Sequence, residues 1–423
     1  MSTKKEVGIL CHLTSLPEPN LGDDGAIQFL KFLKQMGVSV WQMLPLHPPD
    51  SHGSPYASSS AFASWEDFLP KVEENISESE IAEFCEENKD WIEDYALFQV
   101  LKERHNSAPW TEWSDACRTR TDLKLDSNEI IRFRDICSEQ ARFNHAWKRL
   151  RQKAASMDIR LYGDLPFFVS HDSADVWAAP HRFHLDESGQ PTHVSGVPPD
   201  YFSETGQRWG TPLYKWQSHK SEDFDWWKRR IKRMFELFDL VRIDHFRAFE
   251  AAWSIPAHHP TAEYGQWVEG PGNELLEAII DIYPSGIIAE DLGIIPQSVH
   301  EMRKKHRIPG MAVLQFSNDD FGNPHHPDNH TEDTVVYTGT HDNDTTVGWG
   351  VKPVEETVIQ ALNSVSYLAV IPLQDILKLG SEARMNTPGT KEGNWSWQCK
   401  WDDLNETKID WFRTAIKDSG RLN

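Results

Sequence analysis

Eight short apolar runs, separated by segments with helical periodicity, constrain the fold of this chain more than any other feature. We predict strands at residues 7–10, 38–44, 159–163, 240–244, 287–289, 311–316, 334–339 and 367–371. Runs of this length, rich in β-branched residues and bounded by polar ones, are typical of strands buried on both faces. Helices between consecutive strands favour parallel pairing, and eight such units close into a (β/α)8 TIM barrel.

An open, doubly wound α/β sheet is the alternative architecture. Such a sheet usually carries a glycine-rich phosphate-binding turn after an early strand, and the sequence has none. We therefore expect a single catalytic barrel over residues 1–423. No domain-length segment follows the eighth strand, so we expect no C-terminal β-sandwich domain.

Two stretches between predicted strands are too long to be ordinary barrel loops. Residues 46–157, between strands 2 and 3, are acidic and place aromatic side chains at helical spacing, which predicts an α-helical insertion. Residues 166–225, between strands 3 and 4, predict a long loop or small subdomain that overhangs the active site. Within it, residues 196–203 are too rich in proline and glycine to predict regular structure.

The charge balance excludes two classes of partner. The chain has 43 Lys and Arg against 65 Asp and Glu, a formal net charge of −22. Nucleic acids and anionic membranes require a basic surface, so neither is an expected partner. No apolar run approaches the ~18 residues that a membrane-spanning helix needs.

Cysteine usage and the amino terminus indicate a cytoplasmic protein. The five cysteines are scattered without CxxC spacing, which is typical of reduced thiols and not of a disulfide framework or a zinc site. Residues 1–6 lack the apolar stretch of a signal peptide. The sequence makes no prediction about the oligomeric state.

Acidic residues follow four of the predicted strands, at the end where a β/α barrel carries its functional groups. They are Asp164, Asp244, Glu290 with Asp291, and Asp342 beside His341. Each one alone could cap a helix or pair with an arginine. Together they are expected on one rim, where like charges repel and a function is needed to explain them.

Two chemistries use such a cluster of carboxylates. One is a divalent metal held by oxygen ligands. The other is glycosyl transfer, in which one carboxylate attacks the sugar and another acts first as acid and then as base. Arg242 lies two residues before Asp244 and points the same way. It would repel a metal but would stabilise Asp244 as an anion, so we favour glycosyl transfer without metal or organic cofactor.

Tryptophan is unusually frequent, with 18 residues, and several aromatic residues lie in polar segments rich in glycine and proline. They are Tyr56, Tyr201, Trp209, Trp253, Trp395 and Trp397. Flat aromatic faces in a wet cleft suit ligands with apolar faces and polar edges, such as sugars. Packing beneath long loops is the alternative for each of them.

Longer motifs run in a fixed order along nearly the whole chain. They are GIL and TSLP at 8–10 and 14–17, SPY at 54–56, GDLP at 163–166, GVPPDYFS and GQRWG at 196–203 and 206–210, RIDHFR at 242–247, AEDLG at 289–293, YTGTHDND at 337–344, and RMNTPG at 384–389. In these motifs the chain resembles the amylomaltase, or 4-α-glucanotransferase, family within the α-amylase barrel group. Departures such as Glu18, Asn20 and Thr211 affect the expected acceptor site and not the carboxylates.

The resemblance implies a reaction and roles for individual residues. The enzyme would transfer α-1,4-glucan segments between maltooligosaccharides, with retention of configuration, through a covalent glycosyl-enzyme, and would release glucose. Asp244 would be the nucleophile, Glu290 the general acid/base, and Asp342 would hold sugar hydroxyls. Residues implied to bind substrate are Tyr56, Asp164, Pro199, Asp200, Tyr201, Trp209, Arg242, His245, Trp253, His341 and Asn386.

Three other functions remain compatible with such a barrel. A plain α-glucan hydrolase would share the carboxylates, and an inactive glucan-binding protein would be expected to have lost one of them. A metal-dependent lyase or aldolase would need metal ligands. The histidines at 325, 326 and 330 are the only other metal-like spacing, and we predict that they lie in a solvated loop.

Overall fold

Twelve β-strands and fourteen α-helices lie in the part of the chain that the computed structural model describes, which is residues 5–71, 76–199, 203–318, 320 and 322–422. The strands are β1 (Glu6–Leu10), β2 (Val40–Gln42), β3 (Arg160–Leu165), β4 (His193–Val197), β5 (Gln207–Pro212), β6 (Leu240–Ile243), β7 (Ala251–Pro256), β8 (Gln266–Glu269), β9 (Ile287–Ala289), β10 (Gly310–Val313), β11 (Thr334–Tyr337) and β12 (Leu368–Pro372). The helices are α1 (Ala26–Met36), α2 (Glu78–Glu87), α3 (Lys89–Arg104), α4 (Asp115–Arg118), α5 (Ser127–Ser156), α6 (Ala174–Ala178), α7 (Trp216–Ser221), α8 (Asp225–Leu237), α9 (Gly272–Ile280), α10 (Gln297–Lys305), α11 (Thr346–Trp349), α12 (Val354–Asn363), α13 (Leu373–Ile376) and α14 (Glu406–Asp418).

Eight of the strands form one parallel sheet in the order β10-β11-β12-β1-β2-β3-β6-β9. At the remaining seam, the Ala289 N–H at the end of β9 donates to the carbonyl of Pro309, just before β10, at 2.8 Å. The sheet is therefore a nearly closed barrel, and the predicted (β/α)8 fold is confirmed. None of the described helices is both long and apolar enough to span a membrane.

The sixth predicted strand was too long. We predicted a strand over 311–316, but residues Leu314–Phe316 form a 3-10 helix. The reason is the register, since β10 pairs with β11 only as far as Val313 and Tyr337. After Val313 the backbone no longer pairs with β11, and the chain leaves the sheet.

The barrel interior is a packed layer of strand side chains. Its buried members are Leu10, Val40, Leu44, Tyr162, Leu240, Ile288, Met311, Val313, Val335, Tyr337, Leu368, Val370 and Met385. Across this interior the hydroxyl groups of Tyr162 and Tyr337 lie 3.1 Å apart and form a hydrogen bond. The large core outside the barrel lies between the strands and the surrounding helices. Since the interior is filled, the carboxyl-terminal rim is the place for a ligand.

Helices α2 to α5 occupy the chain between β2 and β3. The 30-residue α5 begins with a capping box in which Asp126 and Glu129 satisfy each other's backbone N–H groups. Its buried Trp147 donates from Nε1 to the carbonyl of Leu237 at 2.7 Å, which fastens α5 to α8. The boundaries of this insertion, 46 and 157, stay a prediction, as does the division at 166 and 225.

A second, antiparallel sheet has the order β5-β4-β7-β8. The prediction of irregular structure for residues 196–203 was wrong at its start, because Gly196 and Val197 belong to β4. β4 pairs on one side with β5 and on the other side with β7, which begins more than 50 residues after β4 ends. The pairing with β7 has no local sequence signal. Gly196 is required there because a Cβ would lie 2.1 Å from the carbonyl oxygen of Gln207.

After β12 the described residues form α13, short 3-10 helices and α14, with no further strand in residues 373–422. The chain then returns to the amino-terminal end of the barrel, where Arg421 is buried. Its guanidinium donates to the carbonyls of Glu6, Leu362, Ser364, Ser366 and Tyr367. One side chain thus joins the ends of β1, α12 and β12.

We expect Arg421→Ala to lower the free energy of unfolding by about 3–5 kcal/mol, because it leaves several buried carbonyls without a donor. Urea denaturation followed by tryptophan fluorescence measures this change. Lys417→Ala, at an exposed position of α14, is the matched control and should change stability by less than about 0.5 kcal/mol. Equal stability of both variants would contradict the role given to Arg421.

Candidate active site

A buried ion pair between neighbouring strands forms the floor of the site. Asp164 on β3 and Arg242 on β6 are register partners, and Asp164 is completely buried. Arg242 Nη1 lies 2.8 and 2.7 Å from the two oxygens of Asp164. The Tyr56 hydroxyl donates to Asp164 Oδ2 at 2.6 Å. Burial raises the pKa of Asp164, and the Arg242 charge opposes that rise.

Asp244 lies on the other side of the same guanidinium. Arg242 Nη2 is 2.8 Å from Asp244 Oδ1, and the Asp244 side chain is 30% exposed. Burial disfavours the charged form of Arg242, but the carboxylates of Asp164 and Asp244 outweigh it and raise the pKa of Arg242. The ion pair holds the Asp244 carboxyl group at the edge of the cleft, where a ligand can reach it.

Glu290 follows β9 and lies beside Asp244. Its Oε2 accepts from the backbone N–H of His245 at 2.7 Å, and its Oε1 accepts from that of Leu292 at 2.8 Å. His245 can present this N–H because its backbone is left-handed, with φ of 52°. Burial raises the pKa of Glu290 to about 7, Asp244 adds to the rise, and Arg242 and the two amides oppose it. Glu290 is therefore poised to hold and release a proton near neutral pH.

Asp342 lies on another side of the rim and is held by polar neighbours. Asn386 Nδ2 donates to Asp342 Oδ1 at 2.6 Å, and His341 Nε2 lies 3.3 Å from the same oxygen. The His341 ring stacks on Tyr56, with centroids 5.2 Å apart and planes 16° apart. Because Tyr56 also bonds Asp164, one continuous chain of contacts joins Asp342 to the ion pair beneath Asp244.

Two of the predicted aromatic residues, Trp209 and Trp253, lie on the antiparallel sheet and have different neighbours. Trp209 on β5 is 40% exposed and meets His245 edge to face, with centroids 4.8 Å apart. Burial lowers the pKa of His245 to about 4, so its ring is neutral. Trp253 lies on β7, where its Nε1 donates to the carbonyl of Ala262 at 2.8 Å. The antiparallel sheet thus accounts for the packing of Trp253, and its binding role stays a prediction.

The remaining predicted residues follow β4 in the sequence. Pro199 is exposed. Asp200 and Tyr201 lie outside the described residues. Their roles, like those of the other binding residues, stay predictions.

Two residues outside the set that the resemblance implies for substrate binding contribute to the site. Trp395 lies 5.8 Å from Tyr56 and 5.9 Å from His341, measured between ring centroids, and completes an aromatic wall with them. Arg384 Nη2 donates to the backbone carbonyl of Asp342 at 2.6 Å. Arg384 is the first residue of the RMNTPG motif, so the sequence contained a signal for it. Trp395 has a positive φ of 63°, which local sequence does not reveal.

The site does not resemble a metal centre. No group of three or more possible ligands that could hold a metal ion occurs among the described residues. Arg242 lies between two of the carboxylates, where it occupies the position a cation would take. The prediction that the histidines at 325, 326 and 330 are solvated was wrong for two of them. His325 and His330 are buried, and His330 Nδ1 bonds the Ser364 hydroxyl at 2.8 Å.

A (β/α)8 barrel with acidic residues along its carboxyl-terminal rim is a frequent framework of enzymes that act on glycosidic bonds. Comparison with known proteins narrows this class. A model of glycoside hydrolase family 77, described as 4-alpha-glucanotransferase, matches residues 11–75, 65–357 and 351–406. The chain belongs to this family.

Individual relatives agree with the family match. A 4-alpha-glucanotransferase from Thermus thermophilus is 42% identical, over 100% of both chains. A chloroplastic/amyloplastic 4-alpha-glucanotransferase from Solanum tuberosum is 39% identical, over 99% of this chain and 87% of the relative. The structure of the amylomaltase from Streptococcus agalactiae in complex with acarbose has a TM-score of 0.91 and 29% identity, covering 99% of this chain and 100% of the other.

The raised pKa of Glu290 has a consequence for stability. In the unfolded chain Glu290 titrates near its ordinary pKa of 4.5, and in the folded protein near 7. The stability that it contributes is complete below pH 4.5 and is lost as the pH rises through 7. We expect Glu290→Gln to gain up to about 3 kcal/mol relative to the unsubstituted protein between pH 4.5 and pH 8.

Urea denaturation of both proteins at several pH values measures this difference. Glu277→Gln is the matched control, because the pKa of Glu277 is lowered by its bond with Lys305. This control should show no relative gain at high pH. A difference between Glu290→Gln and the unsubstituted protein that does not vary with pH would contradict the proposed environment of Glu290.

Proposed function

We propose that this 4-α-glucanotransferase transfers α-1,4-glucan segments between maltooligosaccharides by a retaining double displacement, and that it releases glucose from short donors. Asp244 is the nucleophile, Glu290 is the general acid and base, and Asp342 binds hydroxyl groups of the reacting sugar. The substrates are α-1,4-glucans, and the reaction needs no metal or organic cofactor. A cytoplasmic location stays a prediction.

The observation that carries the proposal is the contrast between two neighbouring carboxyl groups. Asp244 is paired with the Arg242 guanidinium at 2.8 Å, whereas burial and the Asp244 charge raise the pKa of Glu290 to about 7. Double displacement requires one charged carboxylate and one protonated carboxyl group, side by side. Environments that separate two carboxyl groups in this way assign the acid and the nucleophile.

In the first displacement, Glu290 gives its proton to the oxygen of the glycosidic bond. An oxygen of Asp244 forms a bond to the anomeric carbon while the bond to the glycosidic oxygen breaks. The reducing-end fragment leaves with a new hydroxyl group. When the donor is maltotriose and its last bond is cut, this fragment is glucose.

In the second displacement, the 4-hydroxyl of an acceptor glucan enters on the side that the leaving fragment vacated. Glu290, now a carboxylate, takes the proton of that hydroxyl as its oxygen attacks the anomeric carbon. The bond to Asp244 breaks and returns its electron pair to the carboxylate. Two inversions give net retention of the α configuration.

The groups around Asp342 are suited to holding the reacting sugar. Asp342 Oδ1 already accepts from Asn386, and its second oxygen remains for a sugar hydroxyl. Tyr56, His341 and Trp395 offer an aromatic wall beside it. Positive charge develops at the anomeric carbon in the transition state. Asp342 and Asp244 supply negative charge beside it, so they bind the transition state more strongly than the substrate and lower the activation barrier.

Transfer exceeds hydrolysis only when an acceptor sugar occupies the position that water would take. Trp209 meets the ring of His245 edge to face, and the backbone N–H of His245 donates to Glu290, so this aromatic corner adjoins the general acid and base. An apolar corner of this kind favours a pyranose face over a water molecule. We therefore assign the acceptor-binding role to Trp209 and to the loop that follows β4.

Incubation with maltotriose tests the proposal. The unsubstituted protein should produce glucose together with maltooligosaccharides longer than the substrate, whereas a hydrolase would produce only shorter sugars. Asp244→Asn should lose at least about 10³-fold in rate, because the amide cannot form the covalent intermediate. Thermal melting should show that this variant is folded. An Asp244→Asn enzyme that keeps its activity would contradict the assignment of Asp244 as the nucleophile.

A further inference from the structure

Asp291 follows Glu290 directly in the chain, but its carboxyl group has different neighbours. Glu290 accepts from the backbone N–H groups of His245 and Leu292. Asp291 Oδ1 instead accepts from the backbone N–H of Met311 on β10, at 2.8 Å. The Asp291 side chain is only 6% exposed. This second carboxyl group is therefore a buried link to the neighbouring strand.

Arg303 and Gly310 complete the surroundings of Asp291. Arg303 Nε, on α10, lies 3.2 Å from Asp291 Oδ2. Gly310 begins β10 and lies against the same carboxyl group, because a Cβ there would be 2.5 Å from Oδ2 and 2.9 Å from Oδ1. One oxygen of Asp291 thus faces the Met311 N–H and the other faces a guanidinium. A carboxylate fits this place, whereas an amide would have to turn its NH2 group toward one of the two donors.

The link lies at the seam where the barrel closes. β9 and β10 stand at the two ends of the sheet order. Between them the Ala289 N–H donates to the Pro309 carbonyl at 2.8 Å. The bond from the Met311 N–H to Asp291 Oδ1 adds a further connection, in which a side chain takes the place of a backbone carbonyl. Asp291 therefore helps to fix the end of β9 relative to β10.

The backbone of Glu290 lies between this seam and β6. The Glu290 N–H donates to the carbonyl of Ile243 at 3.1 Å, and the Glu290 carbonyl accepts from the Phe246 N–H at 3.1 Å. These two bonds join Glu290 to the segment that carries Asp244. On the other side, the next residue, Asp291, makes the connection. A displacement of a proton donor by about 1 Å can cost up to about 10²-fold in rate, so both connections matter to Glu290.

We propose that Asp291 is a positioning residue for proton transfer: by fastening the end of β9 to β10, it holds the Glu290 carboxyl group in place. This inference rests on the proposed function, because it depends on the role of Glu290 as general acid and base. Asp291 acts only through Glu290. Its loss should therefore slow the steps that need a proton transfer and spare a step that needs none.

Two donors that form the same maltosyl-enzyme separate proton transfer from the rest of the reaction. Maltotriose needs a proton on its leaving glucose, whereas α-maltosyl fluoride loses fluoride without one. Methyl α-glucoside at one saturating concentration serves as the acceptor for both, so kcat/KM for the donor reports the first displacement. Glucose release and fluoride release give the two rates. The measured quantity is kcat/KM for α-maltosyl fluoride divided by kcat/KM for maltotriose.

In Asp291→Asn this ratio should rise about 10- to 100-fold, because kcat/KM falls for maltotriose and is retained for the fluoride. Gly310→Ala should raise the ratio as well, since its added Cβ displaces the Asp291 carboxyl group from the opposite strand. This second variant keeps Asp291 and every charge, so it decides the question if Asp291→Asn does not fold. Thermal melting shows which variants are folded.

Asp333→Asn is the matched control. Asp333 Oδ2 lies 3.6 Å from Nη1 of the same Arg303, but the Asp333 side chain is 55% exposed. This variant removes a carboxylate beside Arg303 and leaves the bond between Asp291 and Met311 in place. It should leave the ratio unchanged. A rise equal to that of Asp291→Asn would overturn the proposal, because the effect would then come from the charge around Arg303.

An unchanged ratio in folded Asp291→Asn overturns the proposal. An equal fall in both kcat/KM values also overturns it, because Asp291 would then serve folding alone. Glu290→Gln distinguishes this result from a failure of the proposed function. Its ratio should rise at least as much as that of Asp291→Asn, and an unchanged ratio there would remove Glu290 as the general acid. A rise in Glu290→Gln without one in Asp291→Asn would overturn the role of Asp291 alone.

Discussion

The structure of the site depends on one buried guanidinium. Arg242 bonds both oxygens of the fully buried Asp164 and one oxygen of Asp244. Without Arg242, two carboxylates would face each other at the end of two paired strands in a poorly solvated place, at a cost of several kcal/mol. The guanidinium that pairs with Asp164 in the core also holds the Asp244 carboxyl group at the surface of the cleft. One interaction therefore joins the packing of the barrel strands to the geometry of the site.

The consequences of this interaction extend along both sides of the rim. On one side, Asp164 fixes Tyr56, which stacks on His341 beside Asp342. On the other side, Asp244 raises the pKa of Glu290, which the backbone turn at His245 holds in position. The first side is a polar and aromatic wall suited to a sugar ring. The second combines the raised pKa of Glu290 with the exposed indole of Trp209, which meets His245 edge to face.

Sequence alone predicted the barrel, and it predicted that acidic residues follow several of its strands, because both are local properties. A buried strand is a short apolar run, and the residue that follows it leaves the core, as Asp244 does after β6 and Glu290 after β9. The antiparallel sheet escaped prediction because β4 pairs with β5 across a segment rich in proline and glycine and with β7, which is distant in the sequence; both pairings include Gly196. Trp395 was recognised as an aromatic residue in a polar segment, but its place in the wall depends on a left-handed backbone.

The central claim is that the carboxylate held by Arg242 forms the covalent bond to the sugar, and trapping that bond tests it most directly. Fluoride leaves without a proton, so Glu290→Gln should still react with α-maltosyl fluoride but should lack the base needed to complete transfer. Mass spectrometry of the digested protein should find one maltosyl group on the peptide that contains Asp244. A maltosyl group on any other residue, or release of a β-configured product without an adduct, would contradict the account.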